Sequence, residues 1–260
     1  MNPILEKAYP NFRDLGGLET TDGYCIKPGM IFRSPDLPDK KDPAVLEALK
    51  DLHLDYIVDL RCPIESFERK DITVPGTQYL SLPVIKAWPF ITVVVCYTGK
   101  FLAVRHMRKG TAIKVKEEKE ASYRAIPFSP AYNKVFQLMD EGKTFDFHCT
   151  EGKDRTGWLA ICIEYSLGRS VDEIFKEYMK SNELRPGKDR TWLTKAGLDL
   201  EQINYASYCE FVHEELFELG FATVMERYAT FDEYLEDVFH ITEERKAKWR
   251  AIYLEKKDEP

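Results

Sequence analysis

Phe145-Asp-Phe-His-Cys-Thr-Glu-Gly-Lys-Asp-Arg-Thr-Gly-Trp158 is the stretch on which the fold turns. Phe145 and Phe147 alternate with Asp146, the period of two that marks a strand. Gly152 permits a sharp loop, and Thr156-Gly157 opens the apolar run from Trp158 to Ile163, which reads as a buried helix. Strand, tight loop and helix start thus follow one another directly. Such a loop presents backbone N–H groups that no helical carbonyl uses, and with the helix dipole they form an anion site. Cys149 and Arg155 stand in this loop with five residues between them. That spacing lets a phosphate sit in the loop with a thiolate below phosphorus and a guanidinium forked onto two of its oxygens.

These residue types suit phosphoryl transfer. A thiolate is a strong nucleophile, and helix N-termini and neighbouring cations stabilise it. Arg155 offers a planar bidentate clamp for phosphate oxygens. The backbone N–H groups of Thr150, Glu151, Gly152, Lys153 and Asp154 are the expected donors to the remaining oxygens. Thr156 is placed to donate its hydroxyl to the Cys149 sulfur when that sulfur leaves. His148 is expected to fix the loop by bonding backbone rather than to act as a base. A zinc site is disfavoured, because His148 and Cys149 are adjacent and no Cys-x2-Cys pair occurs.

His148-Cys-Thr-Glu-Gly-Lys-Asp-Arg-Thr-Gly157 resembles the signature of the cysteine-dependent phosphatases, His-Cys-x5-Arg-Ser/Thr. The Lys153-Asp154 pair is similar to that of the bacterial tyrosine/serine protein phosphatases, the atypical dual- or triple-specificity group that includes secreted mycobacterial and listerial enzymes. Asn11-Phe-Arg-Asp-Leu-Gly-Gly17, Phe32-Arg33-Ser34 and Asp59-Leu-Arg61 resemble further segments of that group, in the same order along the chain. The resemblance implies a hydrolase that uses no metal and no cofactor. It also implies that Arg13 and Asp14 shape the pocket rim, that Arg33 supports the phosphate loop, and that a variable helical lid is present. Its substrates would be phosphotyrosine, with phosphoserine and phosphothreonine, or phosphoinositides. Lys153 at its loop position favours an inositol phosphate, as a flexible cation able to reach a second phosphate.

The general acid stays open at this level. Trp88-Pro89 is followed by Phe90, where a Trp-Pro-Asp loop would carry its acid. Asp154, inside the loop, is the first candidate and Asp59 the second; either must hold a proton near the leaving oxygen. Arg61 is expected to pair with Glu65, with a carboxylate of the site, or only at the surface. Cys62 would lie near Cys149 if Asp59 does, as a core thiol or as a partner in a protective disulfide.

The rest of the chain sets the frame. Its 260 residues, 44% hydrophobic and 31% charged, suit one α/β domain with a central, mainly parallel sheet between helices. A net charge of -7 argues against nucleic acid or an anionic membrane as a general partner. No apolar run is long enough to span a bilayer and no secretory leader is visible, so a cytoplasmic location is expected, or secretion only by another route or after removal of a leader. Asn11 to Gly17 reads as loop, and Tyr24 to Arg33 as two strands about Pro28-Gly29. Asp42 with Pro43 starts a helix, and Tyr56 to Asp59 lies in a strand whose C-terminal end meets that of Phe145–Phe147. Residues 83–129 read as the lid insertion, with the apolar Ile91 to Cys96 and the basic Arg105 to Lys109. Residues 170–254 read as mostly helical, with Ser170 and Thr242 as caps, one helix from Tyr205 to Leu219 and another from Thr223 to Tyr228. Lys256 to Pro260 is expected to fray. Two rivals share the loop: a phosphate-binding module without turnover, for which a thiolate is superfluous, and a sulfurtransferase, which has no need of the forked Arg155. Inorganic phosphate is expected to inhibit as product.

Overall fold

In the computed structural model, the structure describes residues 2–85, 111–185 and 210–257. Trp88-Pro89-Phe90, Ile91 to Cys96, Arg105 to Lys109, residues 186–190 and the start of the expected helix at Tyr205 lie outside the described residues.

The sheet is built on β6 (Phe145–His148), whose four residues are all buried. It pairs in parallel with β3 (Ile31–Ser34) on one side and with β4 (Tyr56–Asp59) on the other. Beyond β4 lies β5 (Gln78–Ser81), also parallel, and beyond β3 lies β1 (Arg13–Asp14), antiparallel, giving the order β1-β3-β6-β4-β5. The alternation read from the sequence divides the two faces. Phe145, Phe147, Val58 and Ile31 join the larger core, whereas Phe32 and Ile57 join a smaller one with Leu5, Tyr9, Val45 and Leu49. The smaller core is closed by α1 (Pro3–Ala8) and α2 (Pro43–Lys50). Asp42 caps α2 by accepting from Ala44 N at 2.9 Å, with Pro43 in the first turn.

The other face carries α5 (Tyr132–Asp140), α6 (Arg155–Ser166) and the helices that follow: α7 (Val171–Leu184), α8 (Glu214–Met225), α9 (Phe231–Phe239) and α10 (Glu243–Tyr253). Of the remaining helices, α3 (Pro63–Glu68) follows β4 and α4 (Thr111–Ala125) precedes α5. Helix α6 is buried on nearly every side, as its uninterrupted apolar run requires. Gly168, at φ +95°, ends that region of chain in the left-handed conformation that only glycine adopts without strain. Ser170 and Thr242 cap α7 and α10 through Glu173 N and Arg245 N, both at 3.3 Å.

Several expectations are corrected. Arg13–Asp14 is a strand, not loop, because it adds to the free edge of β3. The strands flanking Pro28-Gly29 do not pair with each other. β2 (Tyr24–Ile26) pairs instead with β7 (Leu254–Lys256), so Lys256, expected to fray, is held in a two-stranded sheet. The helix expected from Tyr205 to Leu219 is interrupted at residues 211–213, between the helical Glu210 and Glu214. Asn182 explains the break, since its side chain accepts from Val212 N and donates to Val212 O, both at 2.9 Å, and so takes up the backbone groups a helix would use. Thr223 to Met225 is the end of this same helix rather than a separate one.

The four central strands end together: Ser34, His148, Asp59 and Ser81 are in register. The loop from Cys149 onward therefore leaves the sheet at its carboxyl edge. Beneath it, Asp146 is fully buried on the smaller face, opposite Phe32 and Ile57, with one oxygen accepting from Ser34 Oγ at 2.8 Å and the other without a partner. Burial pushes its carboxyl well above the ordinary 3.8, the Ser34 bond opposing and Asp71 adding to the rise. A carboxyl whose proton is retained on folding makes stability fall as pH rises above the unfolded value, by about 1.4 kcal/mol per unit. Urea unfolding of Asp146→Asn beside wild type checks this. The variant's stability should rise relative to wild type by about 2–3 kcal/mol between pH 5 and pH 7, and a constant difference would contradict the burial argument.

Candidate active site

The loop of residues 149–154 is shaped from outside. His148 O accepts from Leu60 N at 2.8 Å, and Cys149 O lies 3.2 Å from His148 Nδ1, which therefore carries the proton. Thr150 O accepts from Asp36 N at 3.4 Å. Glu151 O and Gly152 O both accept from Asn11 Nδ2 at 3.0 Å, and Gly152 O accepts again from Arg33 Nη2 at 3.0 Å. Arg155 O accepts from the Tyr132 hydroxyl at 2.8 Å. Successive carbonyls are thus drawn outward, a curl that turns peptide N–H groups toward the concave side, as in an anion nest. Gly152 makes the curl possible: its φ is +67°, and an added Cβ would come within 2.4 Å of Ser34 O.

Cys149 and Arg155 are both buried at this loop. The Arg155 guanidinium is forked end-on by Glu65, with Nη1–Oε2 2.7 Å and Nη2–Oε1 2.9 Å. Glu65 also accepts from the Thr150 hydroxyl and from Cys62 N, which tie α3 to the loop. Against the cost of burial, Arg155 and Thr150 pull the Glu65 carboxyl down to about 2. Arg155 is held more firmly charged than usual, because the Cys149 sulfur and Glu65 outweigh its burial. Glu65 is the residue sequence reasoning missed here. Its sequence neighbour Arg61 is the partner its position suggests, and only the turn of α3 brings it to Arg155.

Asp154 stands before the first turn of α6 but makes no cap bond to that helix. One carboxylate oxygen accepts from the Tyr123 hydroxyl of α4, and the other lies 3.9 Å from Lys153 Nζ. Burial raises its pKa, but Lys153, Lys119, the Tyr123 bond and Arg155 together bring it below the ordinary carboxylate range. Its side chain keeps 27% of its surface exposed, whereas that of Lys153 keeps 4%. Lys153, expected as a flexible cation at the rim, is instead packed inward against Asp154. Glu151 pairs with Arg185 at the end of α7.

Asp59 lies in a different setting. It has no exposed surface and accepts from Arg61 Nε and Nη2 and from Ser66 Oγ, each at 2.8 Å, and from the Tyr79 hydroxyl. These partners outweigh burial and hold it ionised far below the ordinary range. Arg61 completes the cluster on Asp71 at 2.5 Å and Asp36 at 3.3 Å, not on Glu65. The two Asp59 oxygens are therefore committed to structural donors, which removes the geometric basis for Asp59 as a proton donor. His148 Nε2 lies 3.4 Å from Asp71 Oδ2. Asp59, Asp71 and His148 are close enough to hold a cation, but the Arg61 guanidinium already supplies the positive charge between the two carboxylates. The cluster reads as an ion-pair brace for the carboxyl edge.

Arg13 reaches Glu177 and Asn11, fixing the asparagine that holds the loop, and Arg33 lies between Gly152 O and Glu177. Asp14 faces away, accepting from Gly16 N and Gly29 N at 2.7 Å, so it shapes a turn rather than the rim. The Thr156 hydroxyl is buried without a hydrogen-bond partner, so the expected bond to the Cys149 sulfur is absent in this geometry. Burial and the Glu65 carboxylate push the Cys62 thiol up to about 11, which makes it a poor thiolate for a disulfide with Cys149. Because Glu65 is ionised in the folded chain down to about pH 2 rather than its ordinary 4.5, the pair stabilises above that ordinary value and the gain is lost as pH falls toward 2. Glu65→Gln should lose about 3 kcal/mol at pH 7 and less than half of that at pH 3, read by chemical denaturation. Equal losses at both would show that the fork is not charge-dependent.

Comparison with known proteins agrees with this geometry. The family described as "Tyrosine phosphatase family" matches residues 5–255. A protein of Cupriavidus necator, provisionally named a tyrosine-protein phosphatase, is 28% identical over 247 residues, covering 94% of this chain and 85% of the relative. The triple specificity protein phosphatase PtpB of Mycobacterium tuberculosis is 26% identical over 192 residues, 68% of each chain. Among the described residues, no helix is long and apolar enough to cross a membrane. A match spanning nearly the whole chain, carried on a cysteine-arginine loop at the carboxyl edge of a parallel sheet, places this protein in the tyrosine phosphatase family, whose members are phosphatases of the cysteine type.

Proposed function

We propose that the chain hydrolyses phosphotyrosine in proteins, with phosphoserine and phosphothreonine as further substrates, through a phosphocysteine and without a metal. The observation that carries this is the outward tethering of the loop carbonyls around Cys149 and above Arg155. In the first step the Cys149 thiolate attacks phosphorus in line. An S–P bond forms, the ester P–O bond breaks, and Asp154 gives its proton to the departing oxygen. In the second step water attacks phosphorus, Asp154 takes back a proton, and the S–P bond breaks to release phosphate and thiolate. Thr156, whose hydroxyl is uncommitted, is the donor for that leaving sulfur. The Arg155 clamp, oriented by Glu65, and the loop N–H groups hold the phosphoryl oxygens throughout.

Asp154 is preferred to Asp59 as the acid because it is partly exposed at the loop, whereas Asp59 is enclosed and ion-paired. An ionised Asp154 in the ligand-free chain is compatible with this role. A substrate bound as its monoanion passes its proton to Asp154, and the dianion left in the loop places like charge beside that carboxyl and keeps it protonated. Protein substrates are preferred to inositol lipids because Lys153, the main support for a second phosphate, is buried against Asp154. The names of the relatives point the same way.

Two measurements test the reading. Cys149→Ser should abolish turnover of phosphotyrosine peptides while still binding orthovanadate or phosphate, and Asp154→Asn should lower turnover of a phosphoserine peptide by roughly 10²-fold or more but that of an activated aryl phosphate far less. A Cys149→Ser protein that still turns over, or inositol lipids strongly preferred over peptides, would overturn it. The pH profile follows from protonation. With Asp154 ionised in the free enzyme, the productive complex takes its proton from the substrate monoanion, so kcat/KM should fall above the second phosphate pKa of about 6. An optimum on the alkaline side of neutrality contradicts the assignment.

A further inference from the structure

The side chain that faces Asp154 comes from α4, far from the signature loop in sequence. Tyr123 is buried, and its hydroxyl donates to Asp154 Oδ1. The same hydroxyl lies 2.8 Å from the hydroxyl of Tyr178 on α7. A phenol has one proton. With that proton donated to Asp154, Tyr178 must be the donor to Tyr123, so the three groups form a directed chain, Tyr178 to Tyr123 to Asp154. Tyr178 is itself fixed in place. Its ring lies over Gly157, where a Cβ would come within 3.0 Å, and packs at 5.3 Å on Phe217. Helix α4 is docked by Lys119 Nζ on Phe211 O at 3.2 Å and by Arg124 on Thr223 Oγ1 at 3.4 Å.

The position of Asp154 makes this contact consequential. An aspartate at the residue before a helix ordinarily folds back and accepts from the backbone N–H groups of the first turn. Asp154 makes no such bond: its backbone is already helical, at φ -83° and ψ -72°, and its two carboxylate oxygens lie on the Tyr123 hydroxyl and toward Lys153 Nζ. Folded back onto Thr156 N or Gly157 N, its carboxylate would turn away from the leaving oxygen. We infer that Tyr123, backed by Tyr178, is a positioning residue that holds the Asp154 carboxylate away from the helix start and aims it at the leaving group. The inference rests on the assignment of Asp154 as the acid. The charged and titratable groups around Asp154 are Tyr123 and Lys119 from α4, Lys153 from the loop, Arg155 from α6, and Tyr178 behind Tyr123 from α7.

The test compares wild type, Tyr123→Phe, Tyr178→Phe, Asp154→Asn and the Tyr123→Phe/Asp154→Asn double variant on a phosphoserine peptide and an activated aryl phosphate. Tyr123→Phe removes only one oxygen from a buried ring. It should cut kcat on the phosphoserine peptide about tenfold and on the aryl ester by clearly less, since the acid matters most for the poor leaving group. It also removes a donor that stabilises the carboxylate, so the basic limb of kcat should move to higher pH. In the Asp154→Asn background, Tyr123→Phe should add nothing further. Tyr178→Phe keeps Tyr123 in place and should change the same ratio in the same direction by less, which preserves the test if Tyr123→Phe folds poorly. An unchanged ratio and an unmoved limb in Tyr123→Phe, with Asp154→Asn impaired, overturn the positioning role alone. Equal losses on both esters that persist in the double variant also overturn it, because they mark a structural role. If Asp154→Asn is unimpaired on the phosphoserine peptide, the acid assignment itself fails and the positioning role falls with it.

Discussion

The structure depends on a set of hydrogen bonds that point away from the site. Asn11, Arg33, Asp36, Leu60, His148 and Tyr132 each hold a carbonyl of the segment running from His148 to Arg155. A short peptide loop has two faces, and tying its acceptors outward leaves its donors to face inward. The anion site proposed for it needs little side-chain charge of its own, because the loop dipoles and the start of α6 supply the potential. It does need a rigid surround, and the buried arginines provide that. Arg13 fixes Asn11, Arg33 reaches Gly152 O, and Glu177 lies between the two arginines. Burial and the neighbouring Arg13 bring Arg33 down to about 10, which still leaves it charged at neutral pH. The two-arginine, one-glutamate group is costly to bury, and it is retained where the loop requires fixed geometry.

Two separate braces hold the carboxyl edge of the sheet. One is the Arg61 group with Asp59, Asp71 and Asp36, which locks the end of β4 to the segments after β3 and α3. The other is the Glu65 fork, which ties α3 directly to Arg155 and Thr150. Both are built from residues within a few positions of one another, Asp59 to Glu65, and the strand-to-helix turn at Cys62 sends them to different partners. The same division separates the two aspartates considered as the acid. Asp59 serves the brace and is enclosed by donors, whereas Asp154 is left by its own helix and taken up by Tyr123.

Much of this was legible in the sequence, for physical reasons. The strand-loop-helix reading of residues 145–158 rested on period-two alternation, a glycine and an apolar run, all local signals, and β6, the loop and α6 follow it. Caps at Asp42, Ser170 and Thr242 were readable because capping is a short-range bond. What escaped depended on contacts between distant segments. The pairing of Tyr24–Ile26 with Leu254–Lys256 joins the two ends of the chain, and no local pattern encodes it. Asp14 directly follows Arg13, which reaches Asn11, yet serves a turn, because β1 alternates its side chains between faces. Lys153 was read as a rim cation from its charge, but its place inside the curl of the loop turned it inward. Glu65 and Tyr123 could be found only once α3 and α4 were placed beside the loop.

The central claim is that Cys149 forms a covalent bond to phosphorus. The most direct test is rapid acid quenching of the wild-type protein during turnover of a phosphotyrosine peptide, followed by mass spectrometry of the digest. The account predicts a phosphoryl group on the peptide carrying Cys149, linked through sulfur and absent from Cys149→Ser. Phosphate release at full rate with no phosphoryl group on that peptide, or with one on His148 instead, would contradict it.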